Sequence, residues 1–180
     1  MKKKIIIGSR ASKLALIYAE KAKEEILKNQ EVESVEIKRI TTTGDTLKNV
    51  RVSEHGGKGL FCKKIEQELL SNNIDIAVHA LKDMPTDETE GLITNCFLER
   101  SDPREILISH NNKNIKELKL NAIVGTSSYR REFQLKNIRK DITCKLIRGN
   151  VDTRIEKLND NQYDAIILSY AGIKSLGLEE

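Results

Sequence analysis

Short β-branched runs alternate with amphipathic helical patterns along the whole of this chain, and that rhythm leaves few folds open. Lys4–Gly8 reads as a strand. Ser12–Asn29 reads as a helix, with Leu14, Ile17, Tyr18, Ala22 and Ile26 roughly on one face and Ser12 as its N-cap. Val35–Thr41 is a second strand. Thr42–Gly59, punctuated by Gly44, Gly56, Gly57 and Gly59, reads as a long polar loop. A helix over Leu60–Asn72 follows, then strands at Ile74–His79, Gly91–Leu98 and Glu105–Ser109. The second half repeats the pattern: strand Ala122–Gly125, helix Ser128–Arg139, strand Thr143–Ile147, helix Asn150–Asn159, strand Ala165–Ser169 and a short helix from Ala171. Such alternation predicts an α/β fold with open, mostly parallel sheets flanked by helices. Ser101-Asp102-Pro103 interrupts the rhythm, so the expected division is into lobes 1–98 and 99–180.

Composition removes several function classes. Apolar residues make up 38% and charged residues 32%, enough for a packed core under a solvated surface. A net charge of +4 without a contiguous basic stripe or stacking aromatics argues against nucleic acid. No segment approaches the ~20 apolar residues of a membrane span. Lys2–Lys4 precede only Ile5–Ile7 before Gly8, short of the ~7–15-residue core of a signal peptide, and a cytoplasmic chain is expected. Cys62, Cys96 and Cys144 lack CxxC spacing and nearby histidines. They predict buried thiols and neither a disulfide nor a metal site.

In open α/β sheets ligands bind beyond the carboxyl ends of the strands. Four strand-to-helix turns there carry the unusual residues: Gly8–Ser12, His79–Pro85, Gly125–Arg131 and Arg148–Arg154. Arg130, Arg131 and Arg154 fall in first turns of helices capped by Ser127 or Ser128 and by Asn150, where a cation opposes the macrodipole by ~0.3–1 kcal/mol. With Arg10 and Arg148 at strand ends, five arginines sit where an anion would repay the placement. Arg forks and free helix N–H groups favour carboxylate or phosphate. His55–Leu60 has the wrong spacing for a P-loop and reads as a flexible active-site loop. Asp83, beside Lys82, is an acid in a basic setting; such a carboxylate stays ionised and can meet a developing cation. His79 reads as a strand-end histidine with a structural bond, and Asp152 as an acid favoured by the helix dipole.

Together these motifs resemble the porphobilinogen deaminases. Gly8-Ser9-Arg10-Ala11-Ser12-Lys13-Leu14-Ala15 resembles that family's N-terminal turn. Thr43-Gly44-Asp45 and Gly56–Phe61 resemble its mobile loop, to which Asp45 and Lys58 belong. Asp75–Pro85 resembles its catalytic segment, and Val124–Arg131 and Arg148–Arg154 its cofactor- and substrate-holding turns. Tyr163–Leu168 and Ala171-Gly172 match in the expected order. The resemblance implies two periplasmic-binding-protein-like lobes, with a third domain absent from this chain. It implies condensation of four porphobilinogens head to tail with loss of ammonia, giving hydroxymethylbilane on the route to haem. It implies a dipyrromethane cofactor bound covalently to a cysteine of that third domain, and not to Cys62, Cys96 or Cys144. Asp83 matches the catalytic aspartate, which binds pyrrole N–H groups and stabilises the azafulvene cation. Lys82, Asp83, Thr126, Ser128, Arg130 and Arg131 match cofactor-holding positions. Arg10, Ser12, Arg148 and Arg154 match substrate-binding positions. Expected partners are porphobilinogen and oligopyrrole intermediates, on a monomer.

Lys13 stands where the family often has proline, Tyr18 where it often has glutamine, and Ser175 where an arginine is common. The 180 residues end before the expected cofactor domain, so an incomplete enzyme, inactive alone, is the expectation. The alternative is an anion (carboxylate) binding module, two lobes with an arginine-lined cleft and no catalysis.

Overall fold

A computed structural model describes residues 3–46 and 59–179. The chain divides into two compact units, Met1–Glu99 and Arg100–Glu180. In the first unit, β1 (Lys3–Arg10) lies between β2 (Val32–Ile40) and β3 (Ile76–Ala77), parallel to both. Its Ile5-Ile6-Ile7 run suits a strand covered on both faces. Ile5 and Ile7 pack with Ala19 and Ala22 of α1 (Lys13–Leu27) and with Val35. Ile6 points the other way, to Ile40, Ile74 and the Ile65 of α3 (Lys63–Leu70). Between them α2 (Thr43–Thr46) is a single turn.

The second unit has a four-stranded sheet in the order β4 (Glu105–Ser109), β7 (Ala165–Ser169), β5 (Ile123–Gly125), β6 (Thr143–Lys145). Only β4 runs antiparallel to its neighbour. Alternate residues of β7 again serve two layers. Ala165 and Ile167 pack with Val124 and with Leu135 of α4 (Tyr129–Ile138). Ile166 and Leu168 pack with Leu158 of α5 (Val151–Asn159) and Ile173 of α6 (Tyr170–Ser175).

One device recurs. After α3, Asn72 turns left-handed (φ 55°), and Asp75 then receives the backbone N–H of Ile6 at 2.7 Å. After α5, Asn161 does the same (φ 58°), and Asp164 receives the N–H of Ile123 at 2.8 Å. Asparagine tolerates that conformation. The aspartate then supplies an acceptor where the parallel ladder begins. The residue between differs: Ile74 in the first unit, buried in the core, and Tyr163 in the second.

Several elements differ from the sequence reading. Gly91–Leu98 is not a strand. A strand needs a neighbour for its N–H and C=O groups, no described strand pairs with this segment, and Ile93, Phe97 and Leu98 stay exposed. Ile74–His79 shrinks to the two paired residues of β3, and Thr143–Ile147 ends at Lys145. The helix expected from Leu60 starts at Lys63, after a turn. Thr43–Thr46 is helical inside the expected loop; residues 47–58, Lys58 included, lie outside the described residues. Cys62 is buried, but Cys96 is exposed and Cys144 only half-buried. Cys96 belongs to the unpaired segment, which leaves its thiol in solvent.

Candidate functional site

In the first unit the side chains gather around Arg10, the last residue of β1. Its Nε donates to Asp45 Oδ1 at 3.1 Å, and a terminal nitrogen forms an ion pair with the same carboxylate. A second terminal nitrogen stands 3.8 Å from Asp83 Oδ2. The guanidinium lies 4.2 Å from the centre of the Phe61 ring. Asp45 is held in turn by Thr42, whose N–H (3.1 Å) and hydroxyl (2.7 Å) both donate to Oδ2. Burial pushes the Asp45 carboxyl up, but bonds from Arg10 and Thr42 outweigh it and hold the group below its ordinary value. Gly44 is required here: a Cβ would stand 2.3 Å from the Phe61 ring.

Asp83 ends a 3₁₀ turn, Leu81–Asp83, and Lys82 beside it is exposed. The Cys62 thiol donates to the Asp83 carbonyl at 3.1 Å, tying the turn to the start of α3. His79 is desolvated, which lowers its pKa; Glu66 and Asp83 oppose that shift and Arg10 adds to it. Its Nε2 has no partner among the described residues, in contrast to the structural bond expected. Ser12 caps α1, accepting from the Ala15 N–H at 3.4 Å.

In the second unit, Thr126 is fully buried and its hydroxyl accepts the Ser128 N–H at 3.2 Å. Ser128, not Ser127, caps α4; its hydroxyl accepts from Arg131. Arg130 and Arg131 both pair with Glu105 of β4, and Arg131 also donates to the Ile167 carbonyl at 3.0 Å. The two arginines are thus engaged with a carboxylate of their own chain. Arg131 Nε has no partner among the described residues.

Arg148 and Arg154 flank the turn into α5. Gly149 there has φ 117°, and a Cβ would stand 2.8–2.9 Å from Thr153, so only glycine fits. Asn150 holds the N-cap position but makes no side-chain capping bond. Arg154 Nε donates to the Gly149 carbonyl at 2.8 Å. Burial, then the charges of Arg148 and Arg131, push the Arg154 pKa down to about 10. Three guanidiniums therefore repel one another in a partly desolvated place, an arrangement that an anion relieves.

Of the two arginines expected at strand ends, Arg10 ends β1, whereas Arg148 lies three residues beyond the end of β6. The sequence reading missed Glu105, Phe61 and the Cys62 thiol bond. None carries a sequence signal, because each partnership joins residues at least twenty positions apart. Arg10 answers two acids in its own unit, and Arg130 and Arg131 answer Glu105 in theirs. Among the described residues no group of His, Cys, Asp and Glu is placed to hold a metal, and no helix is long and apolar enough to cross a membrane.

The fold is that of the extracellular binding proteins of transporters. The crystal structure of a probable amino-acid ABC transporter extracellular-binding protein from Bacillus subtilis aligns with 100% of this chain and 76% of its own, at a TM-score of 0.52 and 11% identity. Within that α/β class the sequence is more particular. The family model for the porphobilinogen deaminase dipyrromethane-cofactor-binding domain matches residues 5–180, and the chain belongs to that family. The porphobilinogen deaminase of Bacillus subtilis is 47% identical over 180 residues, covering 100% of this chain and 57% of that protein. That of Chlorobium chlorochromatii is 45% identical over 180 residues, covering 58% of its length. The chain thus spans little more than half the length of these relatives. A dipyrromethane bearing carboxylates fits the donor set: among the described residues Arg131 Nε is buried without a partner, and the charges of Arg148 and Arg131 bear on a partly desolvated Arg154.

Proposed function

We propose that this chain supplies the substrate-handling portion of a porphobilinogen deaminase, a transferase that joins four porphobilinogens head to tail with release of ammonia. The crowding of Arg131, Arg148 and Arg154 in one partly desolvated place, in a chain of this family, is the observation that carries this reading. Porphobilinogen brings acetate and propionate groups, and a growing oligopyrrole accumulates them. Arg148 and Arg154, with Arg10 and Ser12, bind those carboxylates. Lys82, Thr126, Ser128, Arg130 and Arg131 hold the dipyrromethane cofactor; for Arg130 and Arg131 this means sharing or leaving Glu105. When bound, the cofactor supplies the pyrrole end to which new units are joined.

Asp83 carries the chemistry. Its carboxylate accepts pyrrole N–H bonds and stabilises the positive charge that develops as the aminomethyl carbon loses ammonia. It also moves protons to the departing amine and from the new carbon–carbon junction. A terminal nitrogen of Arg10 stands 3.8 Å from its Oδ2. We place the protein in the cytoplasm as a monomer, with lobes 1–98 and 99–180. Asp45 and Lys58 match positions of the family's mobile-loop motif.

The test joins this chain to the remainder of the Bacillus subtilis relative and follows porphobilinogen consumption. Asp83→Ala lowers turnover about 10²–10⁴-fold; unchanged turnover overturns the assignment of Asp83. The 180 residues alone bind porphobilinogen without consuming it. The charge excess at Arg154 needs no acid and equally suits a carboxylate-binding module; absence of turnover in the joined protein selects that second reading.

A further inference from the structure

Between β6 and α5 the backbone leaves the sheet, yet each of its carbonyls accepts a hydrogen bond. The Lys145 carbonyl still accepts a backbone N–H, from Thr126 at 3.0 Å. The next four in succession each take a side chain. The Tyr163 hydroxyl donates to Leu146 O at 2.8 Å, the Ser127 hydroxyl to Ile147 O, Lys157 Nζ to Arg148 O at 3.0 Å, and Arg154 Nε to Gly149 O at 2.8 Å. The donors come from the turn before α4, from α5 and from the turn before β7. Loops meet their backbone needs largely with water. Four consecutive carbonyls bonded by side chains from three separate places fix a strap whose position is over-determined.

We infer that Tyr163, Ser127 and Lys157 are positioning residues: they hold residues 146–149 so that the Arg148 and Arg154 guanidiniums stand at a fixed separation for a carboxylate-bearing ligand. The inference rests on reading those two arginines as an anion site. The comparison between units supports it. Tyr163 follows the left-handed Asn161 just as Ile74 follows Asn72, and an apolar side chain completes that turn in the first unit. The turn therefore does not need the hydroxyl; the Leu146 carbonyl does. Lys157 gives its ammonium to a carbonyl of the strap, which ties α5 to it. A fixed separation matters because guanidinium–carboxylate pairing is directional, and a strap free to move would lose affinity to the entropy of ordering it.

The experiment is calorimetric binding of porphobilinogen to the 180-residue chain, with Arg148→Ala, Tyr163→Phe, Ser127→Ala and the Arg148→Ala/Tyr163→Phe double variant. Losing one neutral hydrogen bond from the strap weakens binding roughly two- to tenfold. Tyr163→Phe and Ser127→Ala, neither of which changes charge, each show that loss. The Tyr163→Phe effect disappears in the Arg148→Ala background, a coupling that mere destabilisation does not produce. Equal Tyr163→Phe losses in both backgrounds, or none in either charge-neutral variant, overturn the positioning role while leaving the anion site standing. An Arg148→Ala variant that binds as the parent does overturns the anion site itself. Should Tyr163→Phe fail to fold, Ser127→Ala with and without Arg148→Ala decides the matter by the same comparison.

Discussion

The two units share a way of starting their parallel ladders, a left-handed asparagine followed by a ladder-opening aspartate, yet they arrange charge in opposite ways. In the first, Arg10 is answered by Asp45 and Asp83, and its remaining face lies on Phe61. In the second, Arg154 is depressed to about 10 by burial and by its fellow arginines. A common scaffold thus carries a charge-balanced cluster in one unit and a charge excess in the other. Balance suits a group that must handle protons and a transient cation. Crowded guanidiniums suit a site whose ligand brings a carboxylate.

Removing the excess has the largest expected effect. Arg154→Ala deletes a charged donor and one strap bond, and porphobilinogen affinity falls about 10- to 100-fold in a calorimetric titration. Increasing the excess tests it from the other side. Glu105→Gln releases Arg130 and Arg131; affinity rises about threefold as two guanidiniums become available, while the Tm falls because Arg131 loses its carboxylate. Unsettling the balance in the first unit costs stability rather than affinity. Asp45→Asn leaves Arg10 a single carboxylate, Asp83 at 3.8 Å, and unfolding in urea shows a loss of about 1–3 kcal/mol.

The smallest effect is the response to acid. The Asp45 pKa is lower folded than unfolded, so its contribution is full above the ordinary value of ~3.9 and disappears as pH falls through the folded value. The His79 pKa is also lowered, so the unfolded chain takes up that proton first. Stability therefore begins to decline below about pH 6.5. Asp141, held at about 2 by Arg139, adds a last loss between ~3.9 and about 2. Denaturation curves at pH 7.5, 5.5 and 3.5 show a stepwise fall; a flat profile breaks the account of both carboxylates and the histidine.

The fold class was legible because hydrophobic periodicity is local. Ile5–Ile7 and Ala165–Leu168 announce strands covered on two faces, and the post-strand turns follow from the chain direction. Gly91–Leu98 misled for the same reason: its composition suits a strand, but pairing depends on neighbours that sequence pattern does not name. The candidate residues were legible through their resemblance to a family. Their partners were not. Arg130 and Arg131 were read as ligand-holding without Glu105, twenty-five positions away, and Arg10 without its stack on Phe61. Tyr163 entered only as the first residue of the Tyr163–Leu168 match, since nothing in its spacing points to the Leu146 carbonyl.

The burial of Cys62 has a practical consequence for following motion near Asp83. Desolvation, with the charges of Glu66 and Asp83, raises its thiol to about 11, so almost none is thiolate at neutral pH and disulfide reagents find it inert in the closed structure. Cys96, exposed, reacts at once and can be blocked first. Slow labelling that remains after that burst, assigned to Cys62 by peptide mapping, then times how often the turn bearing Asp83 parts from the start of α3. The chain thereby carries its own clock for opening at the proposed catalytic acid.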